Sequence, residues 1–409
     1  MKKNNIQRII TLWVAPLLLV VSISAQSPDT RKSSSTRQAA IGLMKLNSPR
    51  LAVDTTMNAS QMAAWRGEMS DAMRKLMKHP EKETAAPRKI GEAQREGYRI
   101  ERWQSYPLPG ATVNFYVLIP DGVSAEKPAR GGVLCIPGFG QTKELVAGEK
   151  EGVYDLSAGA DTTVHQGSMA RHFVKTGLVA VAVDNPSFGE LSDNGVADYL
   201  NTSRILLEED WSYLGLASWQ DKVILDWLKR QPYLDKEKII VSGFSLGTEP
   251  LMVLGLLDND IFAFVYNDFL CRTRERIFVV DKPDENGKRP FPNSIEHLIP
   301  GFLKEFDFPD IVAALAPRPL ICTEGGLDRD FGIVQTAYMK SGAPEAFTYH
   351  HYQKYENPEN RKMLNATELP GNLNPKEYFD LTNVDSPRHY FKTEHIMPWL
   401  EIVLGDDDD

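Results

Sequence analysis

A serine between two glycines is the residue of this chain best suited to nucleophilic chemistry. The segment GFSLG, residues 243–247, follows an apolar run at 239–242 and precedes a second one at 250–254. A buried strand that turns sharply into a helix holds the turn residue in a strained backbone and exposes its side chain at the carboxyl edge of a sheet. The pattern therefore predicts that Ser245 is a nucleophile.

A serine hydroxyl is a weak nucleophile near neutral pH, so it needs a histidine base that is oriented by a carboxylate. For a serine on such a turn, the carboxylate and then the histidine are expected later in the chain. A strand predicted at 319–323 leads into the turn at 324–328. Asp328 is the predicted acid, with Asp330 and Asp268 as alternatives.

Four histidines follow Asp328 in the chain, and their surroundings differ. His350 and His351 lie on the last predicted strand, and His395 lies in a predicted terminal helix, where packing or surface roles are usual. His389 lies in the loop immediately before that helix. His389 is therefore the predicted base.

The reaction also needs two backbone N–H groups directed at the developing oxyanion. One is expected from Leu246, the residue after the nucleophile. The other is expected from the loop after an early strand, and residues 132–136 run directly into the turn Pro137-Gly138-Phe139-Gly140. Phe139 is the predicted second donor, with Gly140 as the alternative.

Strand and helix patterns alternate through most of the chain and would position these residues. Strands are predicted at 98–103, 112–119, 132–136, 179–183, 239–242, 262–265 and 320–323, and helices around 223–228, after Ser245 and before the chain end. Several of these strands are apolar without alternation, as expected for strands that are buried on both faces. The fold class is α/β, with a mostly parallel central sheet and helices on both faces. Arg272, Arg274 and Arg276 alternate after one strand and indicate either a solvated face or a contact to an acidic sugar.

The N-terminal region has a different character. Residues 1–25 combine basic residues, an apolar run and small residues, which is typical of a secretory signal peptide cleaved after Ala25. Residues 26–94 are expected to form a linker and a helical extension, because Met62, Trp65, Met69 and Met73 recur at helical spacing. The catalytic domain is expected over 95–409, and the mature protein is expected outside the cytoplasm without stable membrane insertion.

Composition excludes several classes of function. The net charge is −9, and no basic run interrupts the body of the chain, so nucleic-acid binding is disfavoured. The three cysteines are too few for a disulfide framework, and the chain carries no CxxC pair and no HExxH helix. Neither a metal nor another cofactor is therefore expected, and the oligomeric state is not indicated.

Taken together, these segments resemble the α/β-hydrolase superfamily, and within it the exported acetyl-xylan-esterase-like hydrolases of bacterial polysaccharide-degradation systems. The resemblance covers roughly residues 95–404. It is carried by the following segments: 132–140, 183–185, 243–250, 323–331 and 389–392. The early oxyanion motif departs from the common form, with Pro137 where histidine is frequent. The resemblance implies a serine esterase whose substrate is an acylated carbohydrate or another small ester.

Two other functions fit parts of the pattern. A serine peptidase of the prolyl-oligopeptidase type would use the same residues, although the N-terminal region is too short for a propeller of several blades. A glycan-binding protein on an inactive hydrolase scaffold would not need Ser245, Asp328 and His389. The preferred hypothesis is a secreted carboxylic-ester hydrolase that removes acetyl or other short acyl groups from polysaccharides or oligosaccharides through an acyl-enzyme.

Overall fold

A computed structural model describes residues 35–149 and 166–405 of the chain. The described strands form one nine-stranded sheet in the order β1-β2-β3-β5-β4-β6-β7-β8-β9. The strands are β1 Ala85–Arg95, β2 Tyr98–Tyr106, β3 Val113–Pro120, β4 Gly132–Ile136, β5 Val179–Ala182, β6 Ile239–Phe244, β7 Ala263–Asn267, β8 Leu320–Cys322 and β9 Phe347–Tyr349. The pairs from β1 to β5 are antiparallel, and all pairs from β5 to β9 are parallel.

Helices precede, connect and follow the strands. They are α1 Thr36–Lys45, α2 Ala59–Met77, α3 Lys143–Ala147, α4 Met169–Val174, α5 Tyr199–Glu208, α6 Tyr213–Lys229, α7 Thr248–Leu257, α8 Thr273–Val279, α9 Phe302–Glu305, α10 Phe308–Ala314, α11 Asp328–Lys340, α12 Pro375–Leu381 and α13 Thr393–Leu404. The predicted α/β fold with a mostly parallel central sheet is confirmed.

The sheet is buried on both faces, as its apolar strands predicted. Leu134 and Ile136 of β4 belong to a core cluster that includes residues of α2, α6, α7 and α10. Val133 and Cys135 point to the opposite cluster, which includes residues of α4 and α13. Alternate residues of one strand therefore anchor helices on opposite faces, which fixes the register of the central strands.

The predicted N-terminal helix is present as α2. Asn58 caps it, and Gln61 completes a capping box, so two backbone N–H groups at the helix start have partners. Met62, Trp65 and Met69 are buried on its inner face. Burial of that face, more than helix propensity, accounts for the position of α2.

The chain divides into two compact units, one that ends at Asn47 and one that spans Ser48–Asp409. Helix α1 belongs to the first unit, and α2 belongs to the second. The boundary predicted between residues 94 and 95 therefore falls inside the second unit. The predicted signal peptide, residues 1–25, lies outside the described residues.

Strand β1 has no counterpart among the predicted strands. None of its eleven residues is buried, so it shows no apolar alternation that a sequence pattern could detect. It pairs with β2 at the edge of the sheet, and the pairing contains two register shifts. Pairing to an existing edge, and not burial, explains why this segment is extended.

Candidate active site

Ser245 lies at the sharp turn between β6 and α7. Its φ is 51°, a left-handed backbone conformation that is rare for residues other than glycine. A Cβ atom on Gly243 would lie 2.3 Å from the carbonyl oxygen of Gly247, and one on Gly247 would lie 2.3 Å from the carbonyl oxygen of Ile136. Both glycines are therefore required by the close approach of the turn to itself and to the end of β4.

His389 lies beside Glu324, and these two residues form the charged centre of the site. Nδ1 of His389 is hydrogen-bonded to Oε2 of Glu324, whose side chain is fully buried. The same carboxylate accepts hydrogen bonds from the hydroxyl of Tyr352 at 3.2 Å and from the backbone N–H of Tyr390 at 3.1 Å. Nζ of Lys392 lies 3.4 Å from Oε1. These contacts fix the carboxylate, which in turn orients the imidazole and leaves its Nε2 for proton transfer.

The imidazole of His389 is also held by packing. Its ring stacks on that of Phe244, with centroids 4.6 Å apart and planes 24° apart. Phe244 immediately precedes the nucleophile, so the turn itself contributes to the position of the base. Among the described residues, no hydrogen bond joins Ser245 to His389. In ligand-free active sites the distance between nucleophile and base is often too long for a hydrogen bond, and it shortens when substrate binds.

The structure does not bring Asp328 to His389, and that predicted pairing is wrong. Oδ1 of Asp328 accepts a hydrogen bond from Arg361 at 2.8 Å and lies 3.2 Å from Nε2 of His351. The carboxylate of Asp328 therefore anchors a loop and a histidine that are distinct from the base.

The position of the acid follows from where β8 ends. The strand stops at Cys322, so Glu324 is the first carboxylate beyond it and remains at the carboxyl edge of the sheet. Gly325 and Gly326 then turn the chain with φ values of 74° and 139°. Asp328 begins α11 on the far side of that turn. Glu324 could have been predicted as the acid from the sequence, because it is the carboxylate nearest to the end of this strand.

The two alternative acids have different surroundings. Asp330 is 1% exposed, and its carboxylate forms an ion pair of 2.7 Å with Arg272, which removes it from the site. Asp268 follows β7 and does face the site. One oxygen of Asp268, one oxygen of Glu324 and one ring nitrogen of His389 all lie within 4.8 Å of one another. His389 therefore has two carboxylate neighbours, of which Glu324 forms the hydrogen bond.

These three donor atoms could also be considered as ligands for a metal ion. The ammonium group of Lys392, 3.4 Å from Glu324, disfavours a second cation at the same carboxylate. The hydrogen bond between Glu324 and His389 uses the atoms that a metal would need. We therefore interpret the cluster as an acid–imidazole pair with an additional carboxylate.

The charges around His389 set its protonation. Burial lowers the pKa of His389, but the hydrogen bond and charge of Glu324, with the charge of Asp268, outweigh burial and raise it above the ordinary value of 6.5. Burial raises the pKa of Asp268 to about 7, against the opposing charge of His389. Because the groups interact closely, their titration belongs to the cluster as a whole.

The loop after β4 lies directly against the nucleophile. A Cβ atom on Gly138 would approach Cδ1 of Phe244 to 2.7 Å and the Cβ of Ser245 to 3.1 Å. The backbone N–H of Gly138 donates to the side chain of Gln141 at 3.1 Å, so it is already used within the loop. The assignment of Phe139 and Leu246 as oxyanion donors stays a prediction, and both residues line the cavity that contains Ser245.

Two residues that follow β5 form hydrogen bonds with this loop and with the start of α3. The side-chain amide of Asn185 donates to the carbonyl oxygen of Pro137 at 2.9 Å. The carboxylate of Asp184 accepts hydrogen bonds from the backbone N–H of Lys143 at 2.7 Å and from its ammonium group at 2.9 Å. The side chains of Lys143 and Asp184 are almost fully buried. The loop between β4 and α3 is therefore held at its start by an amide and at its end by a buried ion pair.

A cavity of about 860 Å³ opens beside Ser245 and His389. Phe139 and Tyr199 line it near the nucleophile, and their rings pack edge to face with centroids 5.0 Å apart. Besides Asp268 and His389, its lining includes the side chains of Glu249, Arg276, Glu296 and His297. A cavity of this volume is typical of small-molecule sites and is much larger than an acetyl group.

None of the helices in residues 35–149 and 166–405 is both long enough and apolar enough to cross a lipid bilayer.

Comparison with known proteins identifies a family and a strongly similar solved structure. The model of the Abhydrolase family matches residues 20–402. A crystal structure of a Bacteroides fragilis protein, provisionally named an acetyl xylan esterase, is 47% identical and superposes with a TM-score of 0.85. The match covers 92% of this chain and 96% of the other. The resemblance seen in the sequence is thereby confirmed.

The comparison of structures also gives more distant matches. A glucuronoyl esterase from Solibacter usitatus is 14% identical with a TM-score of 0.49, over 72% of this chain and 86% of the other. A search of curated proteins found no match.

Proposed function

Because the chain belongs to the Abhydrolase family, we propose that it is an exported serine carboxylic-ester hydrolase that removes acetyl or other short acyl groups from polysaccharides or oligosaccharides. The observation that carries the proposal is the pairing of His389 with buried Glu324 beside Ser245, which has a strained backbone. This is the set of groups that acyl transfer through a serine requires.

The first half of the reaction forms an acyl-enzyme. His389 takes the proton of the Ser245 hydroxyl through Nε2 as the oxygen attacks the ester carbonyl. Glu324 stabilises the imidazolium that results and holds its tautomer. The N–H groups of Leu246 and Phe139 bind the oxyanion. Collapse of the tetrahedral intermediate releases the sugar hydroxyl, which takes the proton from His389.

The second half regenerates the enzyme. His389 removes a proton from a water molecule that attacks the acyl-serine, and the acid leaves with the return of the proton to Ser245. In both halves of the reaction, the transferred proton passes through His389.

The carbohydrate part of the proposal rests on two features. The Bacteroides fragilis protein with 47% identity carries an acetyl xylan esterase name. The cavity beside Ser245 is lined by the aromatic rings of Phe139 and Tyr199 and by polar side chains, such as that of Glu296, that can form hydrogen bonds with hydroxyl groups. Export rests on the segment at residues 1–25.

The test begins with purified protein and 4-nitrophenyl acetate. We expect the wild-type protein to hydrolyse the ester and Ser245→Ala to be inactive with an unchanged circular dichroism spectrum. A fluorophosphonate probe should label the wild-type protein and leave Ser245→Ala unlabelled. Turnover by Ser245→Ala at the wild-type rate would overturn the role of Ser245.

A second measurement separates the bond types. Acid released from acetylated, methylated and feruloylated polysaccharides identifies the acyl group that the protein removes. Cleavage of aminoacyl anilides without hydrolysis of aryl esters would instead indicate a peptidase. Absence of both activities and of probe labelling in folded protein would indicate a binding protein.

A further inference from the structure

Charged side chains that the proposed reaction does not use line the same cavity as Ser245 and His389. They are Glu249, Arg276, Glu296 and His297, and we call them the inner polar cluster. Glu249 lies one turn after the nucleophile on α7, and Arg276 lies on α8. Their positions place polar groups in the wall of a cavity that is otherwise largely apolar.

Two members of the inner polar cluster, His297 and Glu249, are hydrogen-bonded to each other. Nδ1 of His297 lies 2.6 Å from Oε1 of Glu249, and the Glu249 side chain is only 9% exposed. Burial lowers the pKa of His297, but the charge and hydrogen bond of Glu249 outweigh it and raise the pKa above its ordinary value. Nε2 of His297 also lies 3.8 Å from Oε1 of Glu296. Within the inner polar cluster, the buried atoms without a hydrogen-bond partner among the described residues are Nε of Arg276 and Oε2 of Glu296.

Arg276 differs from its two neighbouring arginines. Arg272 is paired with Asp330 at 2.7 Å, and the guanidinium of Arg274 lies over the ring of Phe278 outside the cavity lining. The described residues provide Arg276 with no ion pair, and its Nε has no hydrogen-bond partner among them. Its guanidinium instead lies 5.5 Å from the ring centre of Phe379.

This arrangement packs the planar face of Arg276 against aromatic rings, and the same side chain lines the cavity. A guanidinium that is packed against aromatic rings and partly buried is suited to bind a carboxylate with two parallel hydrogen bonds. The pKa values of Asp268 and His297 are both raised overall, and the charge of Arg276 makes a smaller contribution that opposes each rise. Arg276 therefore acts on the catalytic end and on the inner end of the cavity alike.

Glu296 supplies the complementary group. It is 2% exposed and lines the cavity. Its Oε1 accepts a hydrogen bond from the hydroxyl of Ser294, whereas its buried Oε2 has no partner among the described residues. A buried carboxylate oxygen without a donor is costly, and a hydroxyl group of a ligand would satisfy it.

We propose that Arg276 binds a carboxylate of the substrate and that Glu296 accepts a hydrogen bond from a hydroxyl of the same residue, so that the substrate is an ester of an acidic sugar such as a uronic acid. The proposal rests on the proposed esterase function, since it names the substrate class of that site. Arg276 would determine specificity, and it takes no part in the proton transfers.

Binding can be measured without turnover in the Ser245→Ala protein. We expect isothermal titration calorimetry to detect glucuronate or galacturonate and to detect glucose at least tenfold more weakly. Adding Arg276→Gln should remove the preference for the uronate, and Arg276→Lys should restore part of it because it keeps the charge but not the planar fork. Arg274→Gln is the matched control and should leave the preference unchanged. Equal affinity for the charged and neutral sugars in the Ser245→Ala protein would overturn the proposal.

Turnover separates this proposal from the esterase function itself. The ratio of kcat/KM for an acetylated uronate to that for the acetylated neutral sugar should fall at least tenfold in Arg276→Gln, mainly through KM. Hydrolysis of both esters with no effect of Arg276 on the ratio would leave the esterase function intact and overturn the acidic-sugar assignment. If the wild-type protein hydrolysed neither ester but uronate binding still depended on Arg276, the acidic-sugar site would stand and the esterase function would be overturned.

The carboxylate could also belong to the acyl group. An Arg276-dependent preference for 4-nitrophenyl hemisuccinate over 4-nitrophenyl acetate, without any preference between sugars, would place the carboxylate on the acyl side. That result would overturn the acidic-sugar assignment as well.

Discussion

Glu324 and Asp328 lie four residues apart, and their surroundings give them different roles. The carboxylate of Glu324 is fully buried and bonded to His389, whereas that of Asp328 is partly exposed and bonded to Arg361. A carboxylate affects catalysis only through the imidazole that it touches. The two residues therefore form a natural pair of variants that have similar chemistry and different contacts.

Glu324→Gln is expected to lower kcat/KM for 4-nitrophenyl acetate by about 10³- to 10⁴-fold, because an amide no longer stabilises the imidazolium or its tautomer. Asp328→Asn should leave kcat close to that of the wild-type protein and lower the melting temperature, since Arg361 and His351 lose a charged partner. Steady-state kinetics and thermal unfolding measure the two effects. Equal losses of kcat in both variants would contradict the assignment of the acid.

The pH dependence of activity should report the raised pKa of His389. The base must be neutral to accept the serine proton, so kcat/KM falls as the pH drops through that pKa. Its value is raised above 6.5, which places the midpoint of the acid limb above pH 6.5. Removing the negative charge in Glu324→Gln should move the midpoint to lower pH.

Asp268→Asn tests the second carboxylate in the same measurement. It should move the midpoint in the same direction as Glu324→Gln and by less, because Asp268 makes no hydrogen bond to the imidazole. A kcat/KM profile between about pH 5 and pH 9 covers the transition. A midpoint that neither variant moves would show that another group controls the acid limb.

At the scale of single elements, sequence patterns identified the strands, helices and turns whose positions depend on burial and on turn residues. The turn at Ser245 was predictable because an apolar strand, a glycine-flanked serine and an apolar helix occur in succession. Glu324 was missed because several carboxylates follow β8, and the exact end of that strand decides which one reaches His389. Arg276 and Glu296 both line the cavity because of chain connections that local patterns do not encode.

The loop between β4 and α3, which carries the predicted oxyanion donor Phe139, illustrates how one element depends on another. Asn185, after β5, donates to the carbonyl oxygen of Pro137 at 2.9 Å. Asn185→Ala removes that bond and frees the loop, and small displacements of catalytic groups can reduce rates by about 10²-fold. We expect kcat for 4-nitrophenyl acetate to fall by up to about that factor, with KM less affected.

Asn201→Ala is the matched control for Asn185. Asn201 is exposed on α5, and its side chain contacts Asp198 at 3.2 Å. Its removal should leave kcat unchanged. A loss of kcat in Asn201→Ala as large as that in Asn185→Ala would show that the loop is not positioned by this amide.

At the scale of the whole molecule, the chain is an α/β-hydrolase of the serine-hydrolase type whose second unit begins well before its first strand. Helix α2 contributes Met69 and Met73, both fully buried, to the same core cluster as β4 and α7. Loss of a large buried side chain costs about 2–5 kcal/mol, and α2 contributes several. Helix α2 is thus part of the core of the second unit.

Two truncated chains test this point. A chain that begins at Ser48 retains the whole second unit and should unfold at a melting temperature close to that of the chain from residue 26, with the same esterase activity. A chain that begins at residue 95 lacks α2 and β1 and leaves apolar core surface exposed to water, so it should be insoluble or unfold at a much lower temperature. Circular dichroism and 4-nitrophenyl acetate hydrolysis report both outcomes. Full stability and activity in the chain from residue 95 would instead make the N-terminal helix a separate addition.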